Sequence, residues 1–293
     1  MPYTPIILGM STEAMDMIGI WVPPIQASRQ KDEEHMIQSG LVSITFRQLT
    51  PEAIIALVAQ AGLNGIEWGG DVHVLPGQLA RAAEVRKRTA EAGIQVAAYG
   101  SYYRADQSEA EGLSFSSVLD TAEALGTSLL RVWPGKSAAT ATADERARVV
   151  ADLQRVGTMA ATRHIRVSCE FHGGSLTESN ASAQQLVEEL GAASVSLLWQ
   201  PPVGKPLAYC LEGLTALIGS ITNLHTFAWS LNADGHMVRD PLAQAETQWT
   251  EYLRVANTPD CDRYALLEYV KNDEPRQFLE DAATLKRWLK GLT

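Results

Sequence analysis

Residues 145–171, ERARVVADLQRVGTMAATRHIRVSCEF, contain the two textures from which the fold is read. Positions 145–164 mix Ala, Val, Leu, Glu and Arg at helical spacing, and 165–171 form a short β-rich run. The alternation repeats from about residue 40 onward. Its β-rich runs are LVSITF (41–46), GIEW (65–68), IQVAAYG (94–100), LLRVW (129–133), IRVSCEF (165–171), VSLLWQ (195–200), NLHTFAW (223–229) and YALLEYV (264–270). Each is followed by a helix candidate or by a loop leading to one. Strands that alternate with helices pair in parallel, and eight such units closing on themselves predict a single (β/α)8 TIM barrel. An open doubly wound sheet is the alternative, weakened because no GxGxxG follows the first strand.

Helix punctuation supports the same reading. Thr50 is placed to cap the first helix, with Pro51 at its first position and Glu52 in its first turn. Gly62 and Gly93 stand where helices should stop. The stretch NDEPRQFLEDAATLKRWLK (272–290) opens with acids and closes with bases, as a helix dipole favours. Residues 1–39, with WVPP and the charged RQKDEEH, do not share the pattern and are predicted to be an irregular extension. The barrel is predicted to span 40–293.

Composition limits what such a barrel does. The 293 residues are 46% hydrophobic, ordinary for a globular chain, and no apolar run approaches the ~18 residues of a membrane span. A net charge of −10 disfavours nucleic acid, which needs a basic surface to displace counterions. Cys169, Cys210 and Cys261 are odd in number and widely spaced, predicting reduced thiols and a cytoplasmic protein rather than a disulfide or CxxC metal framework. No P-loop or GxSxG elbow is present.

In a (β/α)8 barrel the active site sits at the carboxyl ends of the strands. Side chains two apart on a strand point the same way, so Glu170 and His172 should project together. Gln200 precedes a proline pair that ends strand six, His225 lies in strand seven with Phe227 and Trp229 at its parity, and Glu268 ends strand eight. Isolated acids are seldom buried unless paired or metal-bound. Two carboxylates, an imidazole and an amide oxygen suit a hard divalent ion such as Mn²⁺, with Mg²⁺ or Co²⁺ also accommodated. Arg131 and Trp133 end strand four: a forked donor for a carboxylate or phosphate, and a flat indole for a sugar face. Tyr99, Tyr102 and Arg104 are expected after strand three, Asp71 and His73 after strand two, and Arg239 after the loop NADGHMV. His73, Tyr99, Arg104, Arg131, Trp133, Trp229 and Arg239 are therefore the candidate substrate contacts. His236 and Lys205 read as solvated loop residues.

From about residue 40 the chain resembles the xylose-isomerase-like barrels often called sugar phosphate isomerases/epimerases. The pieces that carry the resemblance are GIEWGGDVH, AAYGSYYR, CEFHGG, LLWQPP, NLHTFAWS and YALLEYV, in barrel order. It implies a divalent metal held by Glu, Asp, His and Glu from strands five to eight, which map onto Glu170, Gln200, His225 and Glu268. Gln200 replaces the usual aspartate and Val203 a common histidine, so the site brings less negative charge to its ion. The implied chemistry is isomerisation or epimerisation of a small sugar or keto-sugar through an enediolate, with Glu170 and Glu268 transferring protons and His172 orienting or donating. The alternative is β-elimination by a lyase or dehydratase acting on a keto-sugar or inosose. A non-catalytic sugar-binding barrel and a multi-metal nuclease are weaker rivals, the latter for want of His and Asp ligands and of positive charge. Homo-oligomers are expected by the same resemblance.

Overall fold

The computed structural model describes residues 37–259 and 262–292. Eight parallel strands close into a barrel: β1 (Ile37–Val42), β2 (Gly65–Gly69), β3 (Gln95–Arg104), β4 (Leu129–Trp133), β5 (Arg166–Glu170), β6 (Val195–Trp199), β7 (Ile221–Thr226) and β10 (Arg263–Leu267). The cycle closes where β1 pairs with both β10 and β2. The intervening helices are α1 (Pro51–Ala61), α2 (Leu79–Glu91), α3 (Phe115–Leu125), α4 (Ala143–Ala161), α5 (Asn180–Leu190), α6 (Leu207–Leu217), α7 (Glu246–Ala256) and α8 (Pro275–Lys290). After β7 the chain inserts an antiparallel hairpin, β8 (Trp229–Leu231) and β9 (Met237–Arg239). The predicted barrel is thus the observed one. Among the described residues, no helix is long and apolar enough to cross a membrane.

Local chemistry sets the helix ends. The Thr50 side chain accepts from the Ala53 N–H, Pro51 occupies the first turn, and Gly62 ends α1 at φ 64°. Thr142 and Glu145 form a reciprocal capping box at the start of α4. Helices turn their apolar faces onto the outer barrel surface. Trp199 on β6 packs edge-on against Trp249 and Tyr252 of α7, so its neighbour Gln200 takes the opposite, inward direction.

Several boundaries differ from the sequence reading. The first strand begins at Ile37, not Leu41, and residues 43–46 form a 3-10 turn, so 37–39 belong to the barrel. The reading of residues 1–36 falls outside the described residues. β3 runs on to Arg104, so Tyr99, Tyr102 and Arg104 lie on the strand rather than after it. NLHTFAW is not one strand: β7 stops at Thr226, and Trp229 opens the separate hairpin. Asn272 and Asp273 adopt left-handed φ of 59° and 53°, and α8 starts only at Pro275.

Candidate active site

Three strand ends bring ligand-type atoms together. Glu170 is the last residue of β5, His225 lies in β7, and Glu268 follows β10 directly. Their ligand atoms all lie within 4.8 Å of one another, and all three residues are buried. His225 Nδ1 is 3.3 Å from Glu268 Oε2 and 3.6 Å from Glu170 Oε1. That nitrogen is buried and, among the described residues, has no hydrogen-bond partner. An orphaned imidazole nitrogen facing two carboxylates has the donor set and geometry for a hard or borderline divalent cation.

Around this point three carboxylates, Glu67, Glu170 and Glu268, meet two basic groups, Arg131 and His225. Burial alone would lower the His225 pKa, but the Glu268 and Glu67 carboxylates outweigh it and raise it to about 10. Burial pushes Glu170 upward, yet Arg131 and then His225 hold it below the usual carboxylate range. Without an added ion, an imidazolium at His225 with Arg131 offsets two of the three carboxylates and leaves one in excess. A divalent ion would supply that positive charge in its place.

Glu67, quoted in the sequence reading only as part of GIEW, proves to be part of this centre. It is fully buried in β2. Its Oε2 accepts from His225 Nε2 at 3.1 Å, while its Oε1 lies 2.9 Å from Arg131 Nε. Burial raises the Glu67 pKa, but His225 and Arg131 pull it below its ordinary value. Arg131 reaches across to Glu170 as well, so one guanidinium bridges two carboxylates. Gly100 makes room for the pair: a Cβ there would sit 2.6 Å from Glu67 Oε1 and 2.8 Å from Arg131 Nη2. The signal available in sequence was an acid in the middle of a short strand candidate, GIEW, flanked by Ile66 and Trp68.

Above the centre opens a cavity of about 400 Å³. Arg131, Trp133, Glu170, His172, Gln200, Trp229 and Glu268 line it, as do Arg47 and Tyr102. His172 lies beyond the end of β5 and stacks on Trp133 with ring centroids 4.6 Å apart. Its Nδ1 is 2.6 Å from the Gly173 carbonyl, which can only accept, so Nδ1 carries the proton and a neutral ring leaves Nε2 unprotonated. Gln200 Nε2 donates to the Phe171 carbonyl at 2.8 Å and faces Glu170 Oε1 at 3.4 Å. The amide thus offers its nitrogen, not its oxygen, to the first carboxylate.

Other predicted contacts lie elsewhere. Tyr99 is fully buried and donates to the Val74 carbonyl. His73 is buried beside Ser43 and Trp68. Neither lines the cavity. Arg104 packs over Trp133 and donates to the Gly135 and Gly174 carbonyls, while Arg239 pairs with Asp273 above the Tyr269 ring. Arg47, absent from the sequence candidates, holds Asp71 and donates to Tyr102 Oη. His236 and Lys205 are exposed.

A barrel with buried carboxylates and an imidazole converging at the carboxyl ends of its strands defines a class of (β/α)8 protein with a candidate cation centre. The chain belongs to the xylose isomerase-like TIM barrel family, whose model matches residues 55–288. No curated protein sequence matches it. Similar solved structures include a probable 3-DHS dehydratase, AsbF, from Bacillus anthracis. It is 16% identical with a TM-score of 0.71, over 85% of this chain and 99% of that one. A xylose isomerase-like TIM barrel protein from Mycobacterium smegmatis, in complex with magnesium, is 13% identical with a TM-score of 0.70, over 88% and 98%. An L-ribulose 3-epimerase is 14% identical with a TM-score of 0.61, over 87% and 95%. At such identities the likeness is one of fold.

Proposed function

We propose that the protein is a divalent-cation-dependent isomerase or epimerase that moves a proton on a carbon beside the carbonyl of a small polyhydroxylated substrate. The observation that carries this reading is the cluster of Glu170, His225 and Glu268 at the floor of the cavity, with His225 Nδ1 left, among the described residues, without a hydrogen-bond partner. These three residues would hold the ion, with oxygen and nitrogen donors that suit Mn²⁺ or Mg²⁺. Once bound, the ion would supply Lewis-acid polarisation of the substrate carbonyl.

The remaining steps belong to the chain's own groups. Among the described residues, only His225 lies within ion-pairing distance of Glu268, so this carboxylate is placed to take the proton from carbon and, in isomerisation, to deliver it to the neighbouring carbon, whereas epimerisation needs a second group, Glu170, to protonate the opposite face. Glu170 is fixed by Arg131 and Trp133, which both donate to its Oε2. Its Oε1 stays turned toward the cation position. His172 Nε2, unprotonated in the neutral ring, accepts the proton of a substrate hydroxyl, and Gln200 keeps the Glu170 carboxylate aligned. Glu67 acts as a positioning residue: by accepting the His225 Nε2 proton it leaves the Nδ1 lone pair for the ion.

A second reading is favoured by the engagement of Glu170 Oε2. With one carboxylate tied to two donors, a single free base, Glu268, suits β-elimination of water or an alcohol, the proton it takes from carbon passing to the leaving oxygen. Both readings share the first proton abstraction, and the product separates them. Keto-sugars and keto-cyclitols incubated with the cation-loaded protein in D₂O and followed by NMR should yield an isomer that keeps every heavy atom of the substrate and carries deuterium at the exchanged carbon. An unsaturated product would assign elimination instead. Glu268→Gln should lose at least about 10²-fold in rate, the size of a general-base contribution. Near-normal turnover by Glu268→Gln would overturn both.

A further inference from the structure

The cavity is polar at its floor and apolar along much of its rim, and among the described residues that line it no guanidinium is left without a carboxylate partner. Arg47 and Arg131 are the guanidinium groups among its lining residues, and each is already matched by carboxylate: Arg47 by Asp71, Arg131 by Glu67 and Glu170. Arg239, beside the mouth, is matched by Asp273. Among the described residues, no lysine lines the space. A phosphorylated substrate would have to displace one of these carboxylates, or draw Arg104 away from the Gly135 and Gly174 carbonyls that hold it over Trp133, before it met a free cation.

The walls have the opposite character. Trp133 stacks with His172 on the β4–β5 side, and Trp229 stacks with Phe227 after β7, centroids 4.2 Å apart. The hairpin then continues the apolar wall outward. In the β8–β9 pair, Trp229 opposes Arg239 and Leu231 opposes Met237. Opposed residues, and residues two apart on one strand, share a face of a hairpin. Leu231 therefore lies on the same face as Trp229 and Met237, both of which line the cavity. Leu231 is 61% exposed, Met237 49% and Val203, another lining residue, 50%. Large apolar side chains left in water around the rim of a polar site mark a surface that ligand is meant to cover.

We infer that the substrate is an uncharged polyhydroxylated ring carrying an apolar substituent, aryl or alkyl, which lies along Val203, Leu231 and Met237 while the hydroxylated ring rests on the polar floor. This rests on the proposed active site being the place where substrate binds. It goes beyond that reading by naming what lies outside the reacting ring.

The test uses the full chain with Mn²⁺ added and three probes in saturation-transfer NMR titrations: methyl β-D-glucopyranoside, phenyl β-D-glucopyranoside and glucose 6-phosphate. The phenyl glycoside should bind at least about tenfold more tightly than the methyl glycoside, the gain expected from burying much of one ring. Leu231→Ser combined with Met237→Ser should remove most of that gain and leave the methyl glycoside unaffected. Both positions are exposed, so the fold should persist, and a thermal melt checks it. Equal binding of the two glycosides, no binding of either, or tightest binding of the phosphate would each overturn the inference. So would a dimer in sedimentation that the double variant dissociates, since the rim would then cover a second copy. Failure of the proposed reaction is read separately: it shows as no Mn²⁺ uptake and no product, whatever the order of probe affinities.

Discussion

Removing the Glu67 carboxylate from water costs several kcal/mol, and it is offset only if the partners are close and well aimed. His225 Nε2 and Arg131 Nε meet that condition from β7 and β4, on either side of the carboxylate. The same bond fixes which imidazole nitrogen faces the cation position. Glu67→Ala should therefore weaken Mn²⁺ or Zn²⁺ binding by about 10–100-fold, the usual effect of losing a partner behind a ligating histidine. Glu67→Gln, which keeps an acceptor for Nε2, should retain most of the affinity. Calorimetric titration of the two variants measures this, and equal affinity of Glu67→Ala and wild type would remove Glu67 from the centre. Should the alanine variant fail to fold, ¹H–¹⁵N correlation of the Zn²⁺-loaded wild type decides the matter, with Nε2 expected to carry the proton. His73 offers a separate test in pH. Its burial lowers its pKa below 6.5. The unfolded chain then binds more protons than the folded one, so the neutral ring's contribution is complete above 6.5 and is lost as pH falls toward the folded-state value. Thermal melts between pH 8 and 5 should show a shallower acid decline in His73→Gln than in wild type.

At the scale of elements, β3 illustrates how a strand is shaped by what lies across it. Gly100 pairs with Arg131 of β4 and leaves the volume in which Glu67 and the guanidinium meet. Gly100→Ala should force the two apart, costing about 1–3 kcal/mol as overpacking does, and more in cation affinity than in secondary structure. Urea unfolding with and without Mn²⁺ separates those effects. The loop after β10 is the other shaped element: Tyr269, beside Glu268, holds a left-handed φ of 56°, and its N–H donates to Thr45 Oγ1. A tyrosine in that region is strained, and strain of this kind gathers at functional sites. Most helix boundaries were legible because caps and glycines act within a few residues. The split between β7 and the hairpin was not, since an alternating run does not record where its partner strand ends.

At the scale of the molecule, an ion that binds only the closed barrel stabilises it by mass action. Mn²⁺ at 100 times its dissociation constant should add about 2.7 kcal/mol, and a barrel of this size should melt several degrees higher. Glu170→Ala with Glu268→Ala should abolish the increment, and a chelator should reverse it in wild type. A wild type unchanged by added ion would mean that the His225 imidazolium keeps its place facing the carboxylates and no metal ion replaces it.

The amino-acid sequence by itself determined the alternation of strand and helix, the parallel closed barrel, and the residue types at the ends of β5, β7 and β10. Periodicity and strand parity are local properties, written in neighbours one to four positions apart. Only the tertiary structure decided which charge meets which. Glu67 and His225 are 158 positions apart in sequence, and closure of the barrel makes them partners. Closure likewise committed Arg131 to two carboxylates rather than to a substrate, turned the Gln200 nitrogen toward Glu170, and drew His73 and Tyr99 behind the cavity wall. A buried charge takes the nearest opposite charge that low dielectric surroundings leave it, and that neighbour is set by the shape of the whole barrel.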